Sequence, residues 1–394
     1  MVPKGWMLGT LKDLADTLMG YAFRSEDFVP TGIPLLRMGN LYQNTLDLNR
    51  NPVYLPDSFK VDYKRFLVSP GDLVMSMTGT MGKRDYGFTV EIPSNTQCSL
   101  LNQRVLKIVP KNNASSGYIL NLLRSELILS VLYSFPGGTK QANLSAKQLQ
   151  ELPVLIPPEL EQKKIAQILL TWDKAISVTE KFLANSQQQK KALMQQLLTG
   201  KKRLLDENGV RFSGEWRNST LSMFCNIAKG KALSASDLEV GDFPVIAGGK
   251  SSPYSHSDYT HENVVTVSAS GAYAGYISYH NYKIWASDCS VVSAKADNLI
   301  DYFYQLLLSL QDKIYSLQSG GAQPHIYPKD LNSIPLWVPC VKEQQKIAAV
   351  LSAADVEIST LEKKLACLKD EKKALMQQLL TGKRRVKVDE AVAA

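Results

Sequence analysis

The segment KKALMQQLLTGK at residues 190–201 decides the architecture of this chain, because the same twelve letters return without a substitution at residues 372–383. A word of this length does not recur by chance in 394 residues. Self-similarity at a fixed offset indicates that one structural unit is used more than once. The offset is 182 residues (372 − 190), close to half of the chain, so the sequence predicts a tandem duplication.

The two halves match at other positions as well. Asp173 falls on Asp355 at the same offset, whereas Gly20 falls on Gly230 at an offset of 210 (230 − 20). The first copy is therefore longer by 28 residues (210 − 182), and this excess lies between residues 40 and 137. The predicted divisions are a first domain at 1–150, a first helix region at 151–200, a linker at 201–215, a second domain at 216–335, a second helix region at 336–382 and a basic tail at 383–394.

The two helix regions carry a coiled-coil pattern. Ten positions from Ile165 to Leu197 follow a four-three spacing, and the second copy repeats it from Ile347 to Leu379. This spacing is typical of an a/d heptad seam. Two long helices with matching seams in one chain are expected to pair with each other as an antiparallel coiled coil. Each helix is expected to end at the glycine of the repeated segment, Gly200 or Gly382 in the two copies.

The first and second domains have an α+β pattern. Short apolar runs at 34–36, 66–68, 73–77 and 104–109 are separated by Gly, Pro and Asn, which indicates strands, and the second domain has similar runs at 264–267, 276–278 and 291–293. A helical spacing of apolar residues predicts one helix over 116–131. The fold class is therefore a tandem duplication of a mixed α/β domain followed by a long helix.

Two glycine loops in the first domain and their counterparts in the second are candidates for contact with nucleic acid. Glycine lets the backbone approach a phosphate, Lys and Arg neutralise it, and Gln, Asn and Arg have the forked geometry that reads base edges. Ordinary surface turns are the alternative. The candidate residues are Thr78, Thr80, Lys83, Arg84, Thr139, Lys140, Gln141 and Asn143 in the first domain, and Lys250, Ser268, Ser270, Tyr273, Gln323 and His325 in the second.

Composition limits the class of protein. The net charge is +8, but the first domain carries 16 Lys+Arg against 11 Asp+Glu, whereas residues 206–335 carry 9 against 13. The N-terminus has no apolar signal region and no stretch reaches the length of a membrane span, so we expect a cytoplasmic protein without a membrane partner. The five cysteines form no CxxC pair and are interpreted as reduced core thiols; no metal site is predicted.

No catalytic signature withstands inspection. The NPVY segment at 51–54 resembles a methyltransferase box but lacks a glycine-rich cofactor loop before it, and the PD and DxK pieces at 56–64 are too close together for a nuclease site. The sequence contains no GxxxxGK[ST], HExxH or GxSxG. We therefore expect a protein that recognises its ligand without chemistry of its own.

The duplicated helix end, together with TLKDLADTLMGYAF from Thr10 and LPVLIPPELEQKKIAQIL from Leu152, resembles the specificity (S) subunit of type I restriction-modification systems over essentially the whole chain. The resemblance implies two target recognition domains for a split double-stranded DNA sequence. The helices would space these domains and dock methyltransferase (M) subunits, and restriction (R) subunits would join for cleavage. It further implies that S-adenosylmethionine belongs to M, that ATP and Mg²⁺ belong to R, and that this chain is a non-catalytic part of the complex.

The helix residues to which the resemblance assigns partner docking are Ile165, Leu169, Trp172, Leu193, Leu197, Ile347, Leu351, Leu375 and Leu379. Two alternatives stay open at the level of sequence. One is the specificity subunit of a related restriction system outside type I. The other is a two-headed coiled-coil scaffold that binds proteins. The second domain is acidic, whereas a DNA-binding surface is expected to be basic.

Overall fold

A computed structural model describes residues 2–135, 141–249, 254–320 and 323–388 of the chain. Its contacts divide the protein into two units. The first unit is Met1–Thr179 with Lys364–Ala394, and the second is Glu180–Lys363. Each unit thus contains one mixed domain, the beginning of the long helix that follows it, and the end of the long helix from the other repeat. The predicted α+β duplication is confirmed. The structure further shows that each repeat contributes the end of its long helix to the unit of the other repeat.

The first domain consists of short strands and helices in one contiguous stretch of chain. Its strands are β1 (Met7–Thr10), β2 (Ala15–Met19), β3 (Ile33–Leu36), β4 (Leu41–Tyr42), β5 (Thr45–Leu46), β6 (Tyr54–Leu55), β7 (Leu67–Val68), β8 (Leu73–Ser76), β9 (Thr78–Thr80), β10 (Thr89–Glu91), β11 (Ser99–Leu101), β12 (Val105–Pro110), β13 (Gln141–Asn143) and β14 (Pro153–Ile156). Its helices are α1 (Leu11–Leu14), α2 (Phe59–Asp62), α3 (Ser116–Arg124), α4 (Glu126–Ser134) and α5 (Ala146–Gln150), and the long helix α6 (Glu159–Leu197) follows them.

Two four-stranded sheets organise this domain. One is antiparallel with the order β10-β8-β12-β2, and the other has the order β6-β3-β11-β7 with β3 and β11 parallel. Helices α3 and α4 cover the first sheet with Tyr118, Leu122 and Leu132, and Ile165 of α6 joins the same core. Leu379, from the far end of the chain, also packs into it. The first domain is therefore completed by a segment from the second repeat.

The second domain repeats this plan with fewer residues. Its strands are β15 (Arg217–Thr220), β16 (Cys225–Lys229), β17 (Phe243–Ile246), β18 (Ser255–His256), β19 (Val264–Ser268), β20 (Ile277–His280), β21 (Trp285–Ala286), β22 (Cys289–Ala294) and β23 (Pro335–Val338). Its helices are α7 (Leu221–Phe224), α8 (Ile300–Ser309), α9 (Gln311–Tyr315) and α10 (Pro328–Asn332), followed by the long α11 (Val341–Leu380). The order β16-β22-β19-β20 matches β2-β12-β8-β10, and β17 pairs parallel with β21 as β3 does with β11.

The structure locates part of the excess length of the first copy. Strands β3 and β6 are separated by the hairpin β4–β5, whereas the equivalent β17 and β18 have no hairpin between them in the described residues. A second excess lies between β6 and β8, where α2 is found. Both insertions fall inside the interval that the sequence comparison marked as divergent.

The long helices are antiparallel within each unit. In the first unit the Lys372 Nζ lies 2.5 Å from Asp173 Oδ1, and in the second the Lys190 Nζ lies 2.5 Å from Asp355 Oδ1. Ser186 Oγ also donates a hydrogen bond of 2.9 Å to a Glu357 oxygen. Lys190 and Lys372 are the first residues of the repeated segment. The repetition of that segment thus places the same lysine–aspartate pair in both units.

Two predictions need correction. The single helix expected over 116–131 is two helices, because Ser125 has an extended backbone (φ −77°, ψ 149°) and its hydroxyl donates to the Leu122 carbonyl at 2.5 Å. Short hydroxyl side chains that bond the nearby backbone interrupt helices in this way. The cysteines are all free, but only Cys225 and Cys289 are buried; Cys340 and Cys367 are exposed. Among the described residues, no helix combines the length and apolar character that crossing a bilayer requires.

Candidate nucleic-acid interface

The structure brings together the two glycine loops of the first domain. Strand β13 pairs antiparallel with β9, so that Gln141 lies opposite Thr80 and Asn143 opposite Thr78. Thr139 and Lys140 lie outside the described residues, and only the backbone of Gln141 is described. The first loop and residues 141–143, the described end of the second, therefore form one continuous edge, although 61 residues (141 − 80) separate them in sequence.

The candidate residues on this edge have different surroundings. Thr78 is buried and its Oγ1 donates to the Met38 sulfur at 2.7 Å, so it supports the edge from inside. Lys83 and Asn143 are exposed, as is Thr80. Arg84 is also exposed, but it pairs with a Glu126 oxygen at 3.2 Å. Within the described part of the chain Lys83 has no carboxylate at ion-pair distance, unlike Arg84, and its exposed ammonium can meet a phosphate.

Beside this edge lies a polar cavity that sequence reasoning missed. It encloses about 530 Å³ and is lined by residues 37–42, 50–51 and 102–104 together with Asp85 and Phe88. We call it the arginine cavity, because Arg37, Arg50 and Arg104 lie on its wall. It is connected to the glycine edge by a backbone hydrogen bond of 3.0 Å from Met77 N to the Arg104 carbonyl.

The wall of the arginine cavity is held in a fixed conformation. The β4–β5 hairpin turns through Gln43 and Asn44, whose φ angles of 51° and 59° are those of a two-residue turn with two left-handed positions. The buried Asn40 side chain donates to the Arg50 carbonyl at 3.0 Å and to the Asp47 carbonyl at 2.9 Å. These bonds fix the segment that carries Arg50 to the segment after β3, which carries Arg37.

The turn that presents Gln103 and Arg104 depends on Gly20. A Cβ on Gly20 would lie 2.1 Å from the Asn102 carbonyl oxygen, which is far inside contact distance. The corresponding Cβ on Gly230 would lie 2.3 Å from the Ser287 carbonyl oxygen. The glycine match found in the sequence therefore reflects one close backbone approach that both domains use. The matched glycines were the only sign of this turn in the sequence. Nothing in the sequence showed which residues the glycines approach.

The second domain presents equivalent segments with different chemistry. The isolated bridge from Ser270 to His325 brings its two glycine loops together, and Ile326 N donates to the Ala269 carbonyl at 2.9 Å. The turn that Gly230 approaches carries Asp288. Its carboxylate accepts a short hydrogen bond from the Ser270 hydroxyl. At the place where the first domain has Arg104, the second domain thus has an acceptor.

The remaining candidates of the second domain also differ in exposure. Ser268 is buried and its Oγ accepts from Gly249 N at 3.3 Å, so it holds the loop from inside. Tyr273 and Gln323 are exposed. His325 is half-buried with its ring stacked on Tyr327 at a centroid distance of 6.0 Å. Lys250 lies outside the described residues.

Two other histidines of the second domain are unsuited to phosphate binding. Burial lowers the pKa of His280 to about 4 and lowers the pKa of His261 as well, so both are neutral at pH 7. His280 Nε2 lies 2.9 Å from the Thr266 hydroxyl inside the domain. The described residues contain no group of three or more His, Cys, Asp or Glu side chains that could hold a metal ion.

The helix residues assigned to partner docking lie in the interior of the units. The buried members are Ile165, Leu169, Leu197, Ile347, Leu351 and Leu379, and the half-buried members are Trp172, Leu193 and Leu375. These side chains hold each helix against its own domain and its partner helix. A protein that docks on these helices would therefore contact positions outside the seam.

Comparison with known proteins assigns the chain to a family. The type I restriction modification DNA specificity domain matches residues 3–185 and again residues 213–369. The chain belongs to this family and carries its domain twice in tandem. The protein named "Putative type I restriction enzyme MjaX specificity subunit" of Methanocaldococcus jannaschii is 25% identical over 98% of this chain and 95% of its own length.

Solved structures share the fold. The S subunit of the type I restriction-modification system from M. genitalium aligns with a TM-score of 0.69 and 17% identity, covering 96% of both chains. A chain from a study of complex assembly and conformational transition of the type I R-M system aligns with a TM-score of 0.56 and 17% identity, covering 98% of this chain and 100% of its own. At this identity the likeness concerns the fold.

Proposed function

We propose that this specificity subunit reads a bipartite double-stranded DNA target, with one half-site for each domain. The observation that carries the proposal is the equivalence of the two surfaces: in both domains the paired glycine loops lie beside a turn that a glycine approaches closely, Gly20 in one and Gly230 in the other. The scaffold is common, but Arg104 on one turn and Asp288 on the other have opposite charge. Two such surfaces would select different half-sites.

We assign no reaction to this chain itself. Within the complex, S-adenosylmethionine would be bound by methyltransferase (M) subunits, and ATP and Mg²⁺ by restriction (R) subunits. The role of the chain would be to hold DNA in one register while those subunits act. The chain would then contribute to methylation by positioning the DNA, because its contacts to base edges determine which bases lie within reach of the partner subunits.

Methyltransferase subunits would dock on the exposed side of the long helices. Helix α6 carries apolar side chains outside its seam, at Leu170 and Val178 in the first unit and at Phe182 in the second. Phe182 is 59% exposed, which is unusual for an aromatic residue on a coiled coil. Aromatic side chains are enriched among the residues that dominate protein interfaces. This is the surface on which we expect a partner.

Mapping of methylated bases in cells that express the chain with its cognate M subunit tests the proposal. A discrete two-part motif is expected. Replacing residues 1–150 by the corresponding domain of a relative should change one part of that motif and leave the other unchanged. Methylation at a motif without two parts, or a change in both parts, would contradict the assignment of one half-site to each domain.

The role of the helices as a spacer requires a separate test. Insertion of seven residues after Thr179 and seven after Lys363 keeps both heptad seams in phase and falls at the two boundaries between the units. At ~1.5 Å per residue the helices lengthen by ~10 Å, or about three base pairs. The methylated motif should gain about three base pairs between its parts. Insertion of seven residues at one site only is the matched control, because it leaves the seams unequal in length.

A further inference from the structure

The arginine cavity of the first domain contains guanidinium groups that the fold itself does not neutralise. Among the described residues, no carboxylate lies within ion-pair distance of Arg37, Arg50 or Arg104. This contrasts with Arg203 and Arg385, which each form an ion pair with a glutamate of their own unit. A ligand with acceptor atoms would give these groups the charge-assisted hydrogen bonds that the fold does not supply.

Two of these arginines face solvent from segments whose backbone is already held. Arg50 is exposed, with its guanidinium 5.0 Å from the centre of the Tyr42 ring, and its carbonyl is bonded by Asn40. Arg104 is exposed on the turn that Gly20 approaches. A backbone that is held before binding, and a side chain such as that of Arg50 that already rests on an aromatic ring, lose less conformational entropy when the ligand arrives.

Arg37 has a structural role, unlike Arg50 and Arg104. It is half-buried, and its guanidinium donates to the carbonyl of Asn51, the residue after Arg50. Asn51 has a left-handed backbone conformation with φ 49°, so this donor helps to hold a bend that is uncommon for residues other than glycine. Arg37 therefore positions the segment that carries Arg50, and it is not free to contact a ligand with both of its terminal nitrogens.

We propose that Arg50 and Arg104 read guanine in the half-site of the first domain. The inference rests on the proposed function and names the bases that this surface selects. A guanidinium places two parallel N–H donors against O6 and N7 of guanine, an arrangement that no other base offers in the major groove. Asp85, which also lines the cavity, accepts from Thr80 N at 2.7 Å and is directed to the glycine loop.

The second domain provides an internal comparison. The turn approached by Gly230 carries Asp288 in place of the Gln103-Arg104 pair, and the described residues between β17 and β18 form no arginine-bearing hairpin. The proposed guanine-reading pair therefore belongs to the first domain: Arg50 lies in the segment inserted between β3 and β6, and Arg104 lies on the turn where the second domain has Asp288. Changes to Arg50 or Arg104 should alter one half-site only.

The test compares Arg50→Lys and Arg104→Lys with the parent in complex with the M subunit. Lysine keeps the charge and loses the fork, so it separates base reading from attraction to phosphate. We expect each variant to lose about 5- to 150-fold of discrimination at one guanine of one half-site, and to keep its affinity for scrambled duplexes. Arg65→Lys is the matched control, since Arg65 is exposed in the same domain and also lies near an aromatic ring, 6.0 Å from the centre of Phe66.

The outcomes separate the two proposals. If the parent complex methylates no two-part motif, the proposed function fails and the inference fails with it. If the parent methylates a two-part motif and both lysine variants keep it unchanged, the inference alone is overturned. A half-site without guanine on either strand would also overturn it. Retained recognition of the second half-site by each variant shows that the protein is folded.

Discussion

Replacement of Arg203 by alanine should destabilise the second unit strongly. The Glu343 side chain is fully buried and accepts hydrogen bonds of 2.6 and 2.7 Å from Arg203 and of 3.2 Å from Trp216 Nε1. The hydrogen bond to Glu343 also raises the pKa of Arg203, so the guanidinium stays charged. Without Arg203 the Glu343 carboxylate would remain buried without its cation, and the Trp216 indole would be its one remaining side-chain donor among the described residues.

The expected loss follows from this geometry. Breaking a buried ion pair by removing one partner costs about 3 to 5 kcal/mol. Glu343 lies in the first turn of α11, where the helix dipole stabilises an anion by about 0.3 to 1 kcal/mol and so reduces this cost. We therefore expect a loss of about 3 kcal/mol. Arg203 also donates to the Gly214 carbonyl at 2.9 Å, so the opening should begin in the linker at 201–215.

The equivalent pair of the first unit is the matched control. Arg385 pairs with Glu161 as Arg203 pairs with Glu343, but the Arg385 side chain is 40% exposed and Glu161 keeps some access to water. Arg385→Ala should therefore cost less. Urea unfolding gives the loss of stability, and hydrogen exchange locates it, because a protein of two units need not unfold in one step. An Arg203→Ala variant within about 0.5 kcal/mol of the parent, well below the expected loss, would refute the argument.

Three further predictions concern single positions. Gly20→Ala should cost about 1 to 3 kcal/mol and weaken recognition of one half-site, because its Cβ meets the Asn102 carbonyl. Gly214→Ala, whose Cβ meets nothing within 4 Å and which lies outside the arginine cavity, should be neutral in the same unfolding and methylation assays. Because burial lowers the pKa of His280 from 6.5 to about 4, the unfolded chain takes up the proton first. The contribution of His280 to the free energy of unfolding should therefore be constant above about pH 6.5 and fall by about 3 kcal/mol towards pH 4, and His280→Gln should remove this contribution from the pH profile. Phe182→Ala should weaken association with the M subunit about tenfold without a change in the unfolding midpoint, as titration of M onto the folded chain would measure.

The sequence by itself determined the duplication, the two long helices and most of the strands. Helical periodicity and seam spacing are local properties, and so they appear in the order of residues: the seam from Ile165 to Leu197 is buried or half-buried along its length. The glycine loops were found because glycine beside Lys, Arg and Gln is a local pattern too. The break at Ser125 was missed, since helix propensity continues across it and one hydroxyl bond decides the outcome.

Only the tertiary structure decided which segments complete each unit and where the arginine cavity lies. The antiparallel pairing brings Lys372 to Asp173, so the end of the second repeat belongs with the first domain. Arg37, Arg50 and Arg104 follow no periodicity, and they converge because β3 pairs with β11 and the hairpin folds back between them. Burial of Thr78 and Ser268 likewise depends on long-range packing. Contacts between residues far apart in sequence are set by the packing of whole strands, and the residues that meet there leave no pattern of their own in the chain.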